Sequence, residues 1–181
     1  MLFTVFLFVF LAFTLLVLFV ITSAFLGFAI TRVPFVTTPE KEISKAVKEL
    51  NITPKDTFYD LGSGNGKVCF IVNEITGADC MGFELTYWNY LLAKIKSRVI
   101  SHQSRVTFKN QNFFKHSWDE AGYIYAYLYP PLMGRVEEKF VKECKPGSIA
   151  IIRDFPFPKS KPFKVLNTGK GHEIYLYKNG G

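Results

Sequence analysis

The sequence predicts an α/β protein: a seven-stranded, mostly parallel sheet closed by an antiparallel C-terminal hairpin and preceded by one transmembrane helix. Three observations carry this. Residues 57–68 run from an apolar strand through three closely spaced glycines into a helix start. Downstream, β-type and helix-type stretches alternate, which makes a parallel sheet the simplest solution. Residues 2–30 contain no charged side chain at all.

The elements follow in order. Residues 2–30 are dominated by Phe, Leu and Val. About 20 apolar residues cross a bilayer. A cleaved signal would carry a basic start and a shorter apolar core, and neither is present. The first charge is Arg32, and Lys41, Lys45 and Lys48 follow it. The positive-inside rule therefore predicts a single-pass membrane protein with its soluble domain on the cytoplasmic side. Two prolines, Pro34 and Pro39, keep the next stretch extended. Thr38 is expected as the N-cap of a helix over 39–50, with Pro39 at its first position and Ile43, Val47 and Leu50 on one face. Its composition fits two roles equally, packing on the sheet or covering a ligand mouth.

Strands are expected over 57–61, 79–84, 105–109, 123–129 and 148–153, with helices over 66–76, 86–100 and 131–143. The last two strands, 163–168 and 172–178, meet at Gly169-Lys170-Gly171, a hairpin signal. Residues 1–31 form the transmembrane segment, 32–50 a connecting segment with its amphipathic helix, and 51–181 one globular domain.

The glycine loop reads Asp60-Leu61-Gly62-Ser63-Gly64-Asn65-Gly66-Lys67. A P-loop fails, because Leu61 and Val68 stand where Gly and Ser/Thr are required. A dinucleotide loop fits only in part, because position 67 is Lys. What remains, strand-D-x-G-x-G-x-G, resembles the first motif of Rossmann-like class I S-adenosylmethionine (SAM) methyltransferases. Glu84, closing the next strand, supports it: a carboxylate there can accept both ribose hydroxyls.

The net charge of +7 implies an anionic neighbour, and a bilayer surface beside the tether supplies one. Basic residues are scattered rather than interleaved with aromatics, so no nucleic-acid partner is expected. Cys69, Cys80 and Cys144 are dispersed and read as buried hydrophobes. With His102, His116 and His172 equally far apart, no metal site is expected.

Val33-Pro34-Phe35-Val36-Thr37-Thr38-Pro39 ahead of the glycine loop is a more specific signature. Together they make the chain resemble the seven-stranded lysine methyltransferases related to those that modify the ATP synthase c-subunit and the adenine nucleotide translocase, with their prokaryotic relatives. The resemblance implies a protein-lysine N-methyltransferase acting on a membrane-associated protein, with SAM as cofactor. It implies that Asp60, Gly62, Ser63, Gly64 and Gly66 surround the methionine part of SAM. Glu84 would bind the ribose and Asn112 the adenine amine. Tyr129, at the end of the fourth strand, would guide the lysine amine, although an ordinary place on a tyrosine-rich strand explains it equally. The chain departs from the frequent family form at Asn65, Lys67 and Asn112. The fourth strand lacks an N/D-P-P-Y/F motif, which argues against nucleobase or glutamine amides as acceptors. A lysine is mostly protonated at pH 7 and must lose its proton first; desolvation and a neighbouring positive charge favour that loss. Three alternatives stay open: a lipid or small-molecule methyltransferase at the membrane, a SAM-binding scaffold without catalysis, and a nicotinamide-dependent reductase.

Overall fold

A computed structural model describes residues 2–31, 38–100, 105–169 and 171–180. Residues 33–37 of the proline-bearing signature lie outside them. The apolar run forms one helix, α1 (Leu2–Thr31). A short amphipathic helix, α2 (Glu40–Lys48), follows. Then come β1 (Thr57–Leu61), α3 (Lys67–Thr76), β2 (Asp79–Phe83), α4 (Tyr87–Ile100), β3 (Val106–Lys109), β4 (Tyr123–Ala126), α5 (Met133–Glu143), β5 (Ile149–Arg153), β6 (Lys164–Gly169) and β7 (His172–Lys178). The seven strands form one sheet in the order β3-β2-β1-β4-β5-β7-β6. All neighbours are parallel up to β5, and β7 then pairs antiparallel with β5 and β6.

Strand alternation divides the core into two layers. Phe58, Tyr125, Ile151 and Ile174 face α2 and α3 on one side. Tyr59, Ile124, Ile152 and Tyr177 face α5 on the other, around the fully buried Trp118. All three cysteines are free and buried.

Several boundaries differ from expectation. The fourth strand stops at Ala126 rather than 129, and Pro130 and Pro131, which have no N–H to offer a ladder, open a short 3-10 turn over Pro130–Leu132. Tyr129 therefore does not sit on a strand face. Helix α2 begins at Glu40, preceded by Pro39, whose carbonyl accepts the Glu42 N–H at 3.1 Å. The Thr38 hydroxyl does not cap it; it lies 2.6 Å from the buried Tyr125 hydroxyl. Of the two roles left open for α2, the structure shows packing: Ile43, Ala46, Val47 and Leu50 are buried in the α3-side core. Between β3 and β4 the described chain carries only a 3-10 turn, Phe113–Lys115.

Candidate active site

Strand order reverses between β1 and β4, so the chain leaves β1 one way and β4 the other. In open α/β sheets a ligand crevice forms at that point, beyond the carboxyl ends of the strands. Asp60 is paired in register with Gly82 on β2 and Tyr125 on β4, which places it at the crevice.

The loop after β1 is held by its own backbone. Gly62 and Ser63 both donate N–H groups to the Phe83 carbonyl at 2.9 Å, closing the loop onto the end of β2. Gly62, Gly64 and Gly66 all have positive φ, a region that side chains rarely adopt. Gly66 has a second reason to be glycine: a Cβ there would stand 2.3 Å from the Phe108 ring.

Two carboxylates meet this loop. Glu84 follows β2; one oxygen accepts the Gly64 N–H at 2.9 Å and the other accepts the Thr86 N–H at 2.7 Å. Asp60 is buried and, among the described residues, has only the Cys69 thiol, 3.8 Å away, as a weak donor. Burial first and the Glu84 charge second push its pKa up to about 8, against a small opposing effect of the thiol. The Ser63 hydroxyl is buried and, among the described residues, has no partner.

These residues suit SAM on physical grounds. A buried, high-pKa acid beside a second carboxylate is relieved by a cation such as the methionine ammonium. Each Glu84 oxygen keeps a lone pair for a ribose hydroxyl. The unpaired Ser63 hydroxyl is a buried polar group awaiting a partner. Asn112 caps the 3-10 turn after β3, its amide oxygen accepting the Phe114 N–H at 2.9 Å, and an amide of this kind keeps two N–H donors and a second lone pair. Among the described residues no group of His, Cys, Asp and Glu could hold a metal.

The other edge of the crevice is built from side chains. Beyond β4, the Tyr127 ring stacks on Phe155 at 6.1 Å and lies 4.4 Å from the Arg153 guanidinium. Arg153, 2 % exposed, donates to Glu42 of α2 at 2.8 Å. Asp154, at φ 61, accepts from or pairs with His172 Nδ1 at 2.9 Å and takes the Glu173 N–H at 3.2 Å. Tyr129 is 41 % exposed just before the prolyl turn.

Asp60, Gly62, Ser63, Gly64, Gly66 and Glu84 are thus gathered at one crevice, with Asn112 and Tyr129 following the ends of β3 and β4. Sequence reading missed Gly82 and Phe108. A Cβ at Gly82 would meet Ser63 Oγ and Phe108 at 2.6 Å. A glycine inside a strand signals such a close approach. It also missed the Glu42–Arg153 pair, for which two charges 111 residues apart give no local signal.

Residues 60–164 match the family model described as the ANTKMT methyltransferase domain. The chain is similar to a protein-lysine N-methyltransferase of Saccharolobus islandicus (strain REY15A), 26% identical over 157 residues, covering 83% of this chain and 96% of that protein. It is also similar to the adenine nucleotide translocase lysine N-methyltransferase of Mus musculus, 24% identical over 138 residues, covering 76% of this chain and 60% of that protein. Among solved structures, an RNA methyltransferase from Salinibacter ruber in complex with S-adenosyl-L-homocysteine superposes with a TM-score of 0.76 at 21% identity, over 81% of this chain and 95% of that one. A SAM-dependent methyltransferase from Geobacter sulfurreducens, also in complex with S-adenosyl-L-homocysteine, gives 0.58 at 22% identity, over 75% of this chain and 57% of that one. At these identities the structural likenesses speak for the fold.

Proposed function

The chain belongs to the ANTKMT methyltransferase family, and from that premise we propose that it is a SAM-dependent protein-lysine N-methyltransferase anchored in a membrane by α1 and acting on a membrane-associated protein. The observation that carries the reading is the convergence of Asp60, Glu84 and the Gly62–Gly66 loop at the crevice between β1 and β4. Asp60 holds the methionine ammonium, Glu84 the ribose, and Asn112 the adenine edge. Bound SAM supplies an electrophilic methyl group on a positively charged sulfur. The chain's part is to exclude water and to line up an amine, work that positioning can do without a dedicated base. Tyr129, exposed at the mouth, guides the entering amine.

Leu2–Thr22 is long and apolar enough to cross a bilayer. The basic residues that follow it favour retention of the domain on the cytoplasmic face. Two relatives named for lysine methylation support the acceptor, and one of them is named for a membrane-protein target.

The experiment is a titration of the detergent-solubilised full chain with S-adenosylhomocysteine, followed by labelled-methyl transfer to isolated membranes. Micromolar binding and label in lysine residues of protein are expected. Label in extracted lipid, with protein unlabelled, would replace the acceptor class. Binding without transfer to anything would leave a scaffold.

A further inference from the structure

Helix α4 presents an apolar stripe outward at Leu92, Ile95 and Val99, in line with the half-buried Trp88, whose indole N–H is buried. Trp88, Leu92, Ile95 and Val99 recur at i, i+4, i+7 and i+11, one face of a helix within an arc of about 60°. Leu92 is 51 % exposed, Ile95 49 % and Val99 78 %. On the side turned to the protein, Ala93 alone among α4's described side chains is fully buried, while Tyr90, Leu91 and Ser97 are half-buried. An ordinary surface helix has the reverse pattern. Lys96 and Arg98 flank the stripe on its two sides.

The stripe begins where α4 meets α1. The Phe19 ring packs edge-on against Trp88, with centroids 5.7 Å apart. Phe19 lies about 26 Å along the helix from Leu2 at 1.5 Å per residue. A hydrocarbon core is about 30 Å thick. The contact therefore falls near the level where α1 leaves the bilayer, the depth that Trp and Tyr prefer. Tyr87, 54 % exposed, precedes Trp88 at the same level.

We propose that α4 is an in-plane membrane helix: its Trp88–Leu92–Ile95–Val99 face lies in the headgroup boundary of the bilayer that α1 crosses, with Lys96 and Arg98 at anionic headgroups. This rests on the reading of α1 as a membrane span. Glu84 and Thr86 immediately precede α4, so docking holds the ribose acid and the glycine loop at bilayer level. The lysines within reach are then those emerging at the headgroup layer of a neighbouring membrane protein.

The test uses nitroxide labels on the full chain in liposomes containing anionic lipid. The native cysteines are all buried, so an introduced exposed cysteine takes the label selectively. F10C reports on α1, I95C and V99C on α4, and V141C on an exposed site of α5. Each site is scored by its accessibility to oxygen, which partitions into lipid, relative to a water-soluble nickel chelate. The inference expects F10C, I95C and V99C to show a several-fold higher ratio than V141C. Water-like values at I95C and V99C with a lipid-like F10C would overturn it while leaving the anchor intact. A water-like F10C would overturn the anchor and the inference together. Spin–spin broadening between labels at V99C would mean that a second copy covers the face, and would also overturn it.

Discussion

The two edges of the crevice are held together by different means. At the ends of β1 and β2 the backbone does the holding: two N–H groups on the Phe83 carbonyl, three left-handed glycines, and Phe108 filling the space where Gly66 and Gly82 have no Cβ. At the ends of β4 and β5 the holding is done by charged and aromatic side chains: Glu42 on Arg153, Arg153 beside Tyr127, Tyr127 on Phe155, and Asp154 on His172. The first edge leaves room for a ligand by lacking atoms. The second sets counter-charges against its inner charges, Glu42 and Asp154 at Arg153, although Arg153 Nη1 has no hydrogen-bond partner among the described residues. It follows that the first is broken by adding an atom and the second by removing one.

The largest expected effect is at the second edge. Glu42→Gln leaves the buried Arg153 guanidinium with Asp154, 3.8 Å away, as its remaining counter-charge among the described residues, and breaking a buried pair from one side costs at most about 3–5 kcal/mol. Thermal unfolding of the solubilised chain measures it. The double variant E42L/R153M, which removes both charges, should recover much of the loss. A double variant as unstable as the single one would show that packing, not charge, holds α2 to β5. Next is Gly66→Ala at the first edge. Its left-handed backbone costs about 1–2 kcal/mol, and crowding of Phe108 adds about 1–3 kcal/mol. Phe108→Leu in the same chain should return the crowding part and leave the backbone part.

Asp60→Asn sharpens the contrast, because it should act on binding and stability with opposite signs. Loss of a charged hydrogen bond is worth about 1.5–3 kcal/mol, so affinity for S-adenosylhomocysteine should fall roughly 10- to 100-fold. Stability without ligand should rise. The folded-state pKa, raised to about 8 by burial and Glu84, stands above the unfolded value near 3.8. Between the two the folded state binds the extra proton, so stability falls as pH rises from about 4 to about 8 and then levels off. The Asn variant should lack that slope. The wild-type affinity should climb over the upper part of the same range as Asp60 ionises. A stability profile identical in both chains would mean that Asp60 is ionised throughout and already paired.

What could be read beforehand follows the same division. The glycine loop, Asp60 and Glu84 lie within 25 residues of one another, and their spacing alone encodes strand, turn, helix and acid. The sheet is readable because short strand-type stretches such as 57–61, 123–126 and 149–153 alternate with helix-type ones. Arg153 and Glu42 carry no such signal, since each is an ordinary charge until the fold brings α2 to the end of β5. The fourth strand ends at Ala126 although Tyr127-Leu128-Tyr129 continues the strand composition, and local composition carries no signal for that end. Thr38 suits a helix cap chemically, and a tertiary partner, the buried Tyr125 hydroxyl, takes its hydroxyl instead.

That partner gives the smallest effect and the closest test of whether the two edges are separate. Thr38→Val keeps the shape of the side chain and leaves the buried Tyr125 hydroxyl, 2.6 Å away, without its bond. An orphaned buried hydroxyl costs about 1–3 kcal/mol. Tyr125→Phe in the Val background removes the orphan and should restore part of the loss. Tyr125 is the register partner of Asp60 across β1 and β4, so it links the segment ahead of α2 to Asp60. If the edges are independent, Thr38→Val should change affinity for S-adenosylhomocysteine by less than about twofold, within the additivity expected of sites that share no partner. A larger loss, persisting in the Val/Phe double variant, would mean that α2 reports its docking to Asp60 through β4, and the connecting segment would then belong to the cofactor site rather than only to the scaffold beside it.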